Sequence, residues 1–255
     1  HSKHILKRFD NINWNSSIKE LHKPENIRCY NKNFYQRLVF DEIFSTFLVN
    51  SEIRKKIKKN KKTNKVLNIQ KQNNIIERLD FSLTTDQIKS LKEINNDLSS
   101  SNKMFRLLQG DVGSGKTIVS LLAAYNSVNA GFQGTVMAPT EILARQHFTL
   151  AKKIFSKNLR LELISGKSIY KEKKVILDNL CNHKIDIIFG THAIFQKKVN
   201  FKKLGLIIID EQHKFGVNQR KKLSDKGDSE CDVLLMTATP IPRTLTMTMY
   251  GDMDL

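Results

Sequence analysis

Cysteine is scarce in this sequence. The 255 residues include only Cys29, Cys181 and Cys231, and no two of them form a C-x-x-C pair. Secreted domains held together by disulfides, and structural zinc sites, need more cysteines at closer spacing. Neither class is indicated, and a reducing compartment fits best.

Long apolar runs are absent as well. The sequence contains no run of about 18 apolar residues, the length that a membrane-spanning helix needs. It also lacks the basic, apolar and small-residue segments that together form a secretory signal. We therefore expect a cytoplasmic chain with no membrane partner. Because the sequence begins at His1 rather than Met, we also expect a piece of a longer protein.

Acidic residues are outnumbered by basic ones. The 25 Asp and Glu stand against 43 Lys and Arg, which gives a formal net charge of +18. Such an excess favours a polyanionic partner, of which nucleic acid is the commonest. Lysine and asparagine are both abundant, however, and a coding bias toward A/T-rich codons would also produce them.

The N-terminal third is predicted to be helical. Residues 1–30 are polar and resemble a connector with a short helix around Trp14. Over 34–57 the apolar residues recur at three- and four-residue spacing, which predicts a long amphipathic helix. The lysine-rich run 54–62 at its end is either a solvated, fraying tail or a contact to a phosphate backbone.

After residue 80, short apolar segments alternate with amphipathic ones, as in a parallel sheet covered on both faces. The fold class predicted is therefore α/β, with a doubly wound, mostly parallel sheet whose site lies at the carboxyl ends of the strands. Thr84 or Thr85 is expected to cap the first helix of this region. The predicted strands are 105–109, 135–138, 161–164, 185–189, 206–210 and 233–237. The predicted helices are 85–98, 116–130, 141–156, 170–182 and 217–226.

A phosphate-binding loop lies between the first predicted strand and the helix that follows. Backbone N–H groups must turn inward around phosphates, and a Cβ at Gly110 or Gly115 would crowd that approach. Lys116 can reach the β- and γ-phosphates, and the Thr117 hydroxyl can ligate Mg²⁺. The helix predicted to begin at residue 116 places the positive end of its dipole at the loop, which favours a bound anion. The predicted nucleotide-binding residues of the loop are Gly110, Asp111, Val112, Gly113, Ser114, Gly115, Lys116 and Thr117.

Two carboxylates follow the apolar strand 206–210. This is the arrangement of a Walker B motif, in which Asp210 would hold Mg²⁺ and Glu211 would orient or deprotonate the attacking water. An acidic turn that merely closes a buried strand is the alternative. With Lys116, these two residues are the predicted catalytic groups, and ATP and Mg²⁺ are the predicted cofactors.

The order of the remaining motifs resembles superfamily 2 helicases. The motifs are Ala138-Pro139-Thr140-Glu141, Gly190-Thr191-His192-Ala193, Asp210-Glu211-Gln212-His213 and Thr237-Ala238-Thr239-Pro240. Within that superfamily, the strings 137–147, 210–216 and 237–244 are similar to the RecG family of bacterial DNA helicases. The helicase module of transcription-repair coupling factors is the nearest alternative. Gln212-His213 and the helical string 37–42 favour the RecG family, while Lys214 stands where that family usually has Arg.

The resemblance implies roles for further residues. Phe81 would stack on adenine and Gln87 would read its amino edge. The loops after two strands would contact the backbone of one DNA strand without reading its sequence. Residues of the last two motifs would couple nucleotide state to domain movement. The implied DNA-binding residues are Pro139, Thr140, Arg145, Gly190, Thr191 and His192, and the implied coupling residues are His213, Thr237 and Thr239.

The resemblance also implies an organisation and a task. Residues 1–80 would be a helical linker from a fork-binding wedge domain, and 81–255 the first of two RecA-like P-loop NTPase domains. The second, with its arginine finger, would follow Leu255, so we expect this chain to bind ATP weakly and hydrolyse it very slowly. The whole protein would be a monomeric ATP-dependent translocase that remodels stalled replication forks and recombination intermediates. A nucleotide-gated DNA-binding module without turnover is the alternative from another functional class.

Overall fold

The structure is a computed structural model that describes residues 7–10, 12–22, 32–59, 62–155, 158–164, 170–195, 199–211 and 231–238. These residues form two compact units, and the boundary between the units lies between Lys55 and Lys56. No helix within the described ranges is long and apolar enough to cross a membrane. The predicted helix 217–226 lies outside the described residues.

The first unit is helical. Helix α1 covers Trp14–His22, and helix α2, Lys32–Lys59, begins in this unit. Both helices were predicted. Arg37 fixes the preceding segment to α2, because its buried guanidinium donates to the Ile12 carbonyl at 3.3 Å and pairs with Asp41. The Phe40 ring packs against the ring of Phe9 at 5.2 Å.

The second unit contains one six-stranded sheet in the order β1-β6-β5-β2-β4-β3, and every pairing between its neighbouring strands is parallel. The predicted α/β class with a doubly wound parallel sheet is confirmed. The strands are β1 (Phe105–Gln109), β2 (Gln133–Met137), β3 (Leu161–Ile164), β4 (Ile187–Gly190), β5 (Leu204–Ile209) and β6 (Asp232–Thr237). The helices are α3 (Ile69–Ile76), α4 (Thr85–Ser99), α5 (Lys116–Asn129), α6 (Glu141–Phe155) and α7 (Tyr170–Cys181), with a 3₁₀ turn at His192–Phe195.

Apolar side chains lie on both faces of the sheet, because successive residues of a strand point in opposite directions. In β4, Ile187 and Phe189 belong to a large cluster that includes residues of α4, α5 and α6. Ile188, between them, belongs to a second cluster that includes Leu180 of α7. Strands buried on both faces read as continuous apolar runs, which is why the sequence located them well.

Residues 62–80 belong to the same unit as the sheet. Helix α3, which was not predicted, places Ile75 in the large apolar cluster, and Leu67 and Leu79 pack against it. Asn68 caps this helix by accepting from the Lys71 N–H at 3.0 Å. The division into a linker over 1–80 and a motor domain over 81–255 stays a prediction.

A buried ionic cluster connects residues 62–65 to the first residue of β6. The Lys62 ammonium donates to both carboxylate oxygens of Asp232, at 2.7 and 2.6 Å, and the Lys65 ammonium donates to one of them at 2.6 Å. The backbone N–H of Met104 adds a bond of 2.7 Å. All three charged side chains are fully buried. The prediction of a solvated tail or a phosphate contact is therefore wrong for Lys62.

Candidate functional site

The predicted motifs lie along one edge of the sheet. Because all strands are parallel, their carboxyl ends meet there, and such an edge is where open α/β sheets bind ligands. The phosphate loop follows β1, Thr237 ends the neighbouring β6, and Asp210 follows β5, the next strand along. The loops expected to contact DNA follow β2 and β4 on the same edge. The sheet order thus separates a nucleotide half, β1-β6-β5, from a second half, β2-β4.

Three backbone hydrogen bonds hold this edge together beyond the strands. The Gly110 N–H donates to the Thr237 carbonyl at 3.3 Å, which fixes the start of the phosphate loop beside β6. The Asp210 N–H donates to the Met137 carbonyl at 2.8 Å, and the Ala138 N–H donates to the Gly190 carbonyl at 3.0 Å. The loops after adjacent strands therefore start from fixed positions.

The phosphate loop has the backbone that anion binding requires. Gly113 and Gly115 have φ of 81° and 80°, a left-handed conformation that glycine adopts without steric cost. A Cβ at Gly115 would lie 2.3 Å from Nε2 of Gln87, so a larger residue would displace that side chain in addition to straining the backbone. Helix α5 begins directly after Gly115 without a side-chain cap, and its N-terminal end favours negative charge. The loop therefore fits a phosphate group.

The Lys116 ammonium lies across the phosphate loop. It donates to the carbonyls of Gly110 and Asp111, both at 2.7 Å, and approaches the Ser114 hydroxyl at 3.4 Å. The loop thus holds a positive charge at its centre, bonded to groups that an anion can replace.

Gln87 connects the start of α4 to the phosphate loop. Its Oε1 accepts from the Thr84 N–H at 2.9 Å, while the Thr84 hydroxyl accepts from the Gln87 N–H at 3.3 Å, which completes a capping box. The predicted cap is therefore Thr84. The Gln87 Nε2 donates to the Ser114 carbonyl at 2.8 Å. Contacts of Gln87 and the exposed Phe81 with adenine stay predictions.

Asp210 and Glu211 begin the loop after β5. The Asp210 Oδ2 lies 2.8 Å from Nε2 of His147, a side chain of helix α6. Glu211 has φ of 51°, which is uncommon for a residue with a side chain and tends to occur at functional sites. Within the described residues no group of three or more His, Cys, Asp or Glu could hold a metal ion. The Thr117 hydroxyl and the Asp210 carboxylate are the type of oxygen ligand that Mg²⁺ takes together with phosphate and water, so their role as metal ligands stays a prediction.

His147 was not among the predicted site residues, although the sequence contained a signal for it. The buried face of α6 consists of Ala144, His147, Ala151 and Phe155, at spacings of three and four residues. A histidine in a helix face that is otherwise apolar needs a polar partner when it is buried. Apolar periodicity identifies this helix but does not by itself indicate that a polar side chain faces the sheet.

The residues expected to contact DNA lie at the start of α6 and at the end of β4. The exposed Thr140 accepts from the Leu143 N–H at 3.3 Å, as a helix cap does. The Arg145 side chain is 62% exposed and lies 3.4 Å from Glu141. A surface cleft of about 850 Å³ is lined by Thr140, Arg145 and their neighbours on α6.

At the end of β4, Gly190 is buried and the following Thr191 is half-buried. The described residues do not include Gln212, His213, Thr239 or the side chain of His192, so their predicted roles stay predictions.

A family model described as DEAD/DEAH box helicase matches residues 84–248. The chain belongs to this family. "ATP-dependent DNA helicase RecG" of Streptococcus pneumoniae is 44% identical over 98% of the chain and 37% of that relative. The protein of the same name from Thermotoga maritima is 46% identical over 86% of the chain and 28% of that relative. The resemblance to the RecG family predicted from the motifs is confirmed.

A solved structure shows the same arrangement of elements. It is described as RecG bound to a three-way DNA junction, and the chain matches it with a TM-score of 0.81 and 38% identity. The match covers 100% of the chain and 34% of that protein. The chain therefore spans about a third of the length of the relatives it matches.

Proposed function

We propose that this chain supplies the nucleotide-binding part of an ATP-dependent DNA translocase that remodels branched DNA such as stalled replication forks. The observation that carries the proposal is the shared sheet edge. The phosphate loop follows β1, Thr237 ends the adjacent β6, and the Asp210-Glu211 pair follows β5. The loops assigned to DNA follow the next two strands, β2 and β4. Such an edge can sense nucleotide at one end and a DNA backbone at the other.

Lys116 recognises the triphosphate in this proposal. Its ammonium exchanges the carbonyls of Gly110 and Asp111 for oxygens of the β- and γ-phosphates. The loop N–H groups and the start of α5 add donors and positive potential. Gln87 keeps the loop in place through its bond to the Ser114 carbonyl.

Thr117 and Asp210 would hold Mg²⁺, and Glu211 would take a proton from the attacking water. When bound there, Mg²⁺ would supply positive charge to the phosphates and to the transferred phosphoryl group. Glu211 directly follows Asp210 and has a left-handed backbone with φ of 51°, a conformation that is uncommon outside functional sites. A carboxylate next to the metal ligand can serve as a general base. The expected products are ADP and inorganic phosphate.

Contacts to the DNA backbone are assigned to Pro139, Thr140, Arg145, Gly190 and Thr191. Arg145 is the cation of this set and its side chain is 62% exposed, and the net charge of +18 attracts a polyanion from a distance. Short polar loops that hold phosphates track any sequence, as a translocase must. The match to a RecG protein bound to a three-way junction supports branched DNA as the substrate class.

Coupling between the two halves is assigned to β6. Thr237 accepts from the Gly110 N–H, so a shift of the phosphate loop on nucleotide exchange reaches the end of β6 directly. His213 and Thr239 are proposed to continue this path.

A first experiment tests nucleotide binding in the chain. Binding of a fluorescent ATP analogue with Mg²⁺ is titrated for wild type, Lys116→Ala and the exposed control Lys71→Ala. We expect Lys116→Ala alone to lower affinity at least roughly tenfold, because a charged contact to phosphate contributes over 1 kcal/mol. Equal affinity for all three proteins would overturn the assignment of the loop.

A second experiment tests translocation in the whole protein. Glu211→Gln is expected to keep nucleotide and junction binding but to lose ATP hydrolysis and the unwinding of a three-way junction. Arg145→Ala is expected to weaken junction binding and to reduce its salt dependence, with nucleotide affinity unchanged. Hydrolysis by Glu211→Gln at the wild-type rate would exclude the proposed mechanism.

A further inference from the structure

We propose that His147 is a positioning residue that holds the Asp210 carboxylate in the orientation in which it binds Mg²⁺. The inference rests on the proposed nucleotide site and adds a residue to it. The His147 Nε2 lies 2.8 Å from the Asp210 Oδ2. This contact joins two residues that are 63 positions apart in the chain.

The direction of this hydrogen bond follows from the chemistry of the partners. An ionised carboxylate only accepts, so Nε2 of His147 carries the hydrogen and donates it. Oδ2 of Asp210 is thereby occupied, and Oδ1 is the oxygen that would bind a metal ion. A carboxylate held at one oxygen loses much of its rotational freedom before the metal arrives, which reduces the entropy cost of binding.

Packing makes the histidine a rigid support. Its side chain is 9% exposed, and the Asp210 side chain is 13% exposed. Along the same helix face, Ala144 and Ala151 are buried at 1% and 0% exposure, so α6 lies close against the sheet. Phe148, the next residue, packs edge-on against Phe189 of β4 at 5.7 Å. The imidazole therefore has a fixed base from which to orient Asp210.

A purely structural reason for this histidine is weaker. The other buried positions of the helix face are alanine and phenylalanine, so an apolar residue would satisfy the packing. A buried polar ring costs free energy unless it is hydrogen-bonded, and Asp210 is the partner that compensates it here. Orientation of the Asp210 carboxylate therefore explains why a histidine occupies this position.

The test measures how nucleotide binding depends on metal. Binding of a fluorescent ATP analogue to the chain is titrated with Mg²⁺, and separately with EDTA present, for wild type, His147→Leu and His147→Gln. Gln146→Ala, which alters the neighbouring exposed side chain, is the matched control. Thermal unfolding is followed for every variant. Should His147→Leu not fold, His147→Asn takes its place, because its amide is too short to reach Asp210.

We expect His147→Leu to raise the Mg²⁺ concentration at half-saturation roughly tenfold, with metal-free nucleotide binding unchanged. His147→Gln retains an N–H donor at similar reach and should recover most of the loss. Two results would overturn the inference while leaving the nucleotide site intact: an unaltered Mg²⁺ dependence in His147→Leu, or an equal loss of binding with and without metal. If wild type itself shows no response to Mg²⁺, the proposed function and the inference fall together.

Discussion

Lys62 and Asp232 lie 170 residues apart in the chain, and the Lys62 ammonium donates to both oxygens of the Asp232 carboxylate. The Lys65 ammonium donates to the same carboxylate. One buried negative charge therefore faces two buried positive charges. Removing one member of a buried ionic group is costly, because the charges left behind have lost their hydration and gained no partner. The stability of the sheet unit therefore depends strongly on this single acid.

Asp232→Asn is expected to lower the free energy of unfolding by about 3–5 kcal/mol, since two ammonium groups then lack their counterion. Chemical denaturation followed by circular dichroism measures the change. Asp178→Asn alters an exposed acid of α7 and should change stability by no more than about 0.5 kcal/mol. Similar values for both variants would show that the buried cluster contributes little.

The stability of the chain is expected to depend on alkaline pH through Lys62. Loss of hydration on burial lowers the pKa of its ammonium below the ordinary 10.5, despite the attraction of Asp232. Between the lowered pKa and 10.5, the unfolded chain binds more protons than the folded one, so the free energy of unfolding rises with pH. Lys62→Met should flatten this rise in urea titrations, and the exposed Lys71→Met should not.

Cys231 is expected to be protected from thiol reagents in the folded chain. Burial raises the pKa of its thiol to about 12, whereas Cys181 is exposed. Because the thiolate is the reactive form, brief treatment with iodoacetamide near pH 8 should modify Cys181 and spare Cys231. Peptide mass spectrometry reports each site separately. Asp232→Asn should increase labelling of Cys231 by loosening its surroundings, and equal labelling of both cysteines in wild type would contradict the prediction.

Two glycines in the strands should respond differently to alanine. A Cβ at Gly190 would lie 2.6 Å from the Ile164 carbonyl oxygen, whereas one at Gly134 would meet its nearest neighbour at 3.6 Å. Gly190→Ala is therefore expected to lower the free energy of unfolding by about 1–3 kcal/mol through overpacking. Gly134→Ala should change it by about 0.5 kcal/mol or less. Thermal denaturation compares the two, and tolerance of alanine at both positions would refute the steric explanation.

Gln87 offers a way to separate helix capping from support of the phosphate loop. Gln87→Glu keeps an oxygen that accepts from the Thr84 N–H but loses the donor to the Ser114 carbonyl. We expect the stability of α4 to be retained, since Glu also completes a capping box. Nucleotide affinity should fall roughly fivefold, because the loop carbonyl then faces a carboxylate. Gln87→Ala should lose both the capping of α4 and the nucleotide affinity. Unchanged nucleotide affinity in Gln87→Glu would show that the phosphate loop keeps its conformation without the bond from Gln87.

The sequence located what depends on local pattern. Strands β1 and β3 were predicted with their observed bounds, since apolar runs between turn residues are a local signal. The loop between β1 and α5 and the position of Asp210 after β5 were also predicted correctly, because each motif has a defined residue type and spacing. The binding of phosphate and Mg²⁺ by these residues stays a prediction. The helices 141–156 and 170–182 differed from α6 and α7 by one residue at one end.

Pairings between distant residues were not predictable from the same signals. Lys62 ends a run of like charges, and its burial becomes apparent only when Asp232 is placed beside it by the sheet. The role of His147 depends on the packing of α6 on the sheet, which brings its buried face beside Asp210. Helix α3 has few apolar residues and is stabilised by its contact with the core rather than by its own sequence.

Strand β6 is the last described strand in the chain, yet it lies between β1 and β5. During synthesis, the first five strands leave the ribosome before the one that separates the phosphate loop from Asp210. The proposed nucleotide site therefore cannot form strand by strand, because its middle strand, β6, is synthesised after the two strands that flank it. We expect nascent chains that stop before residue 232 to bind no nucleotide, and ribosome-bound chains of increasing length to acquire binding in a single late step.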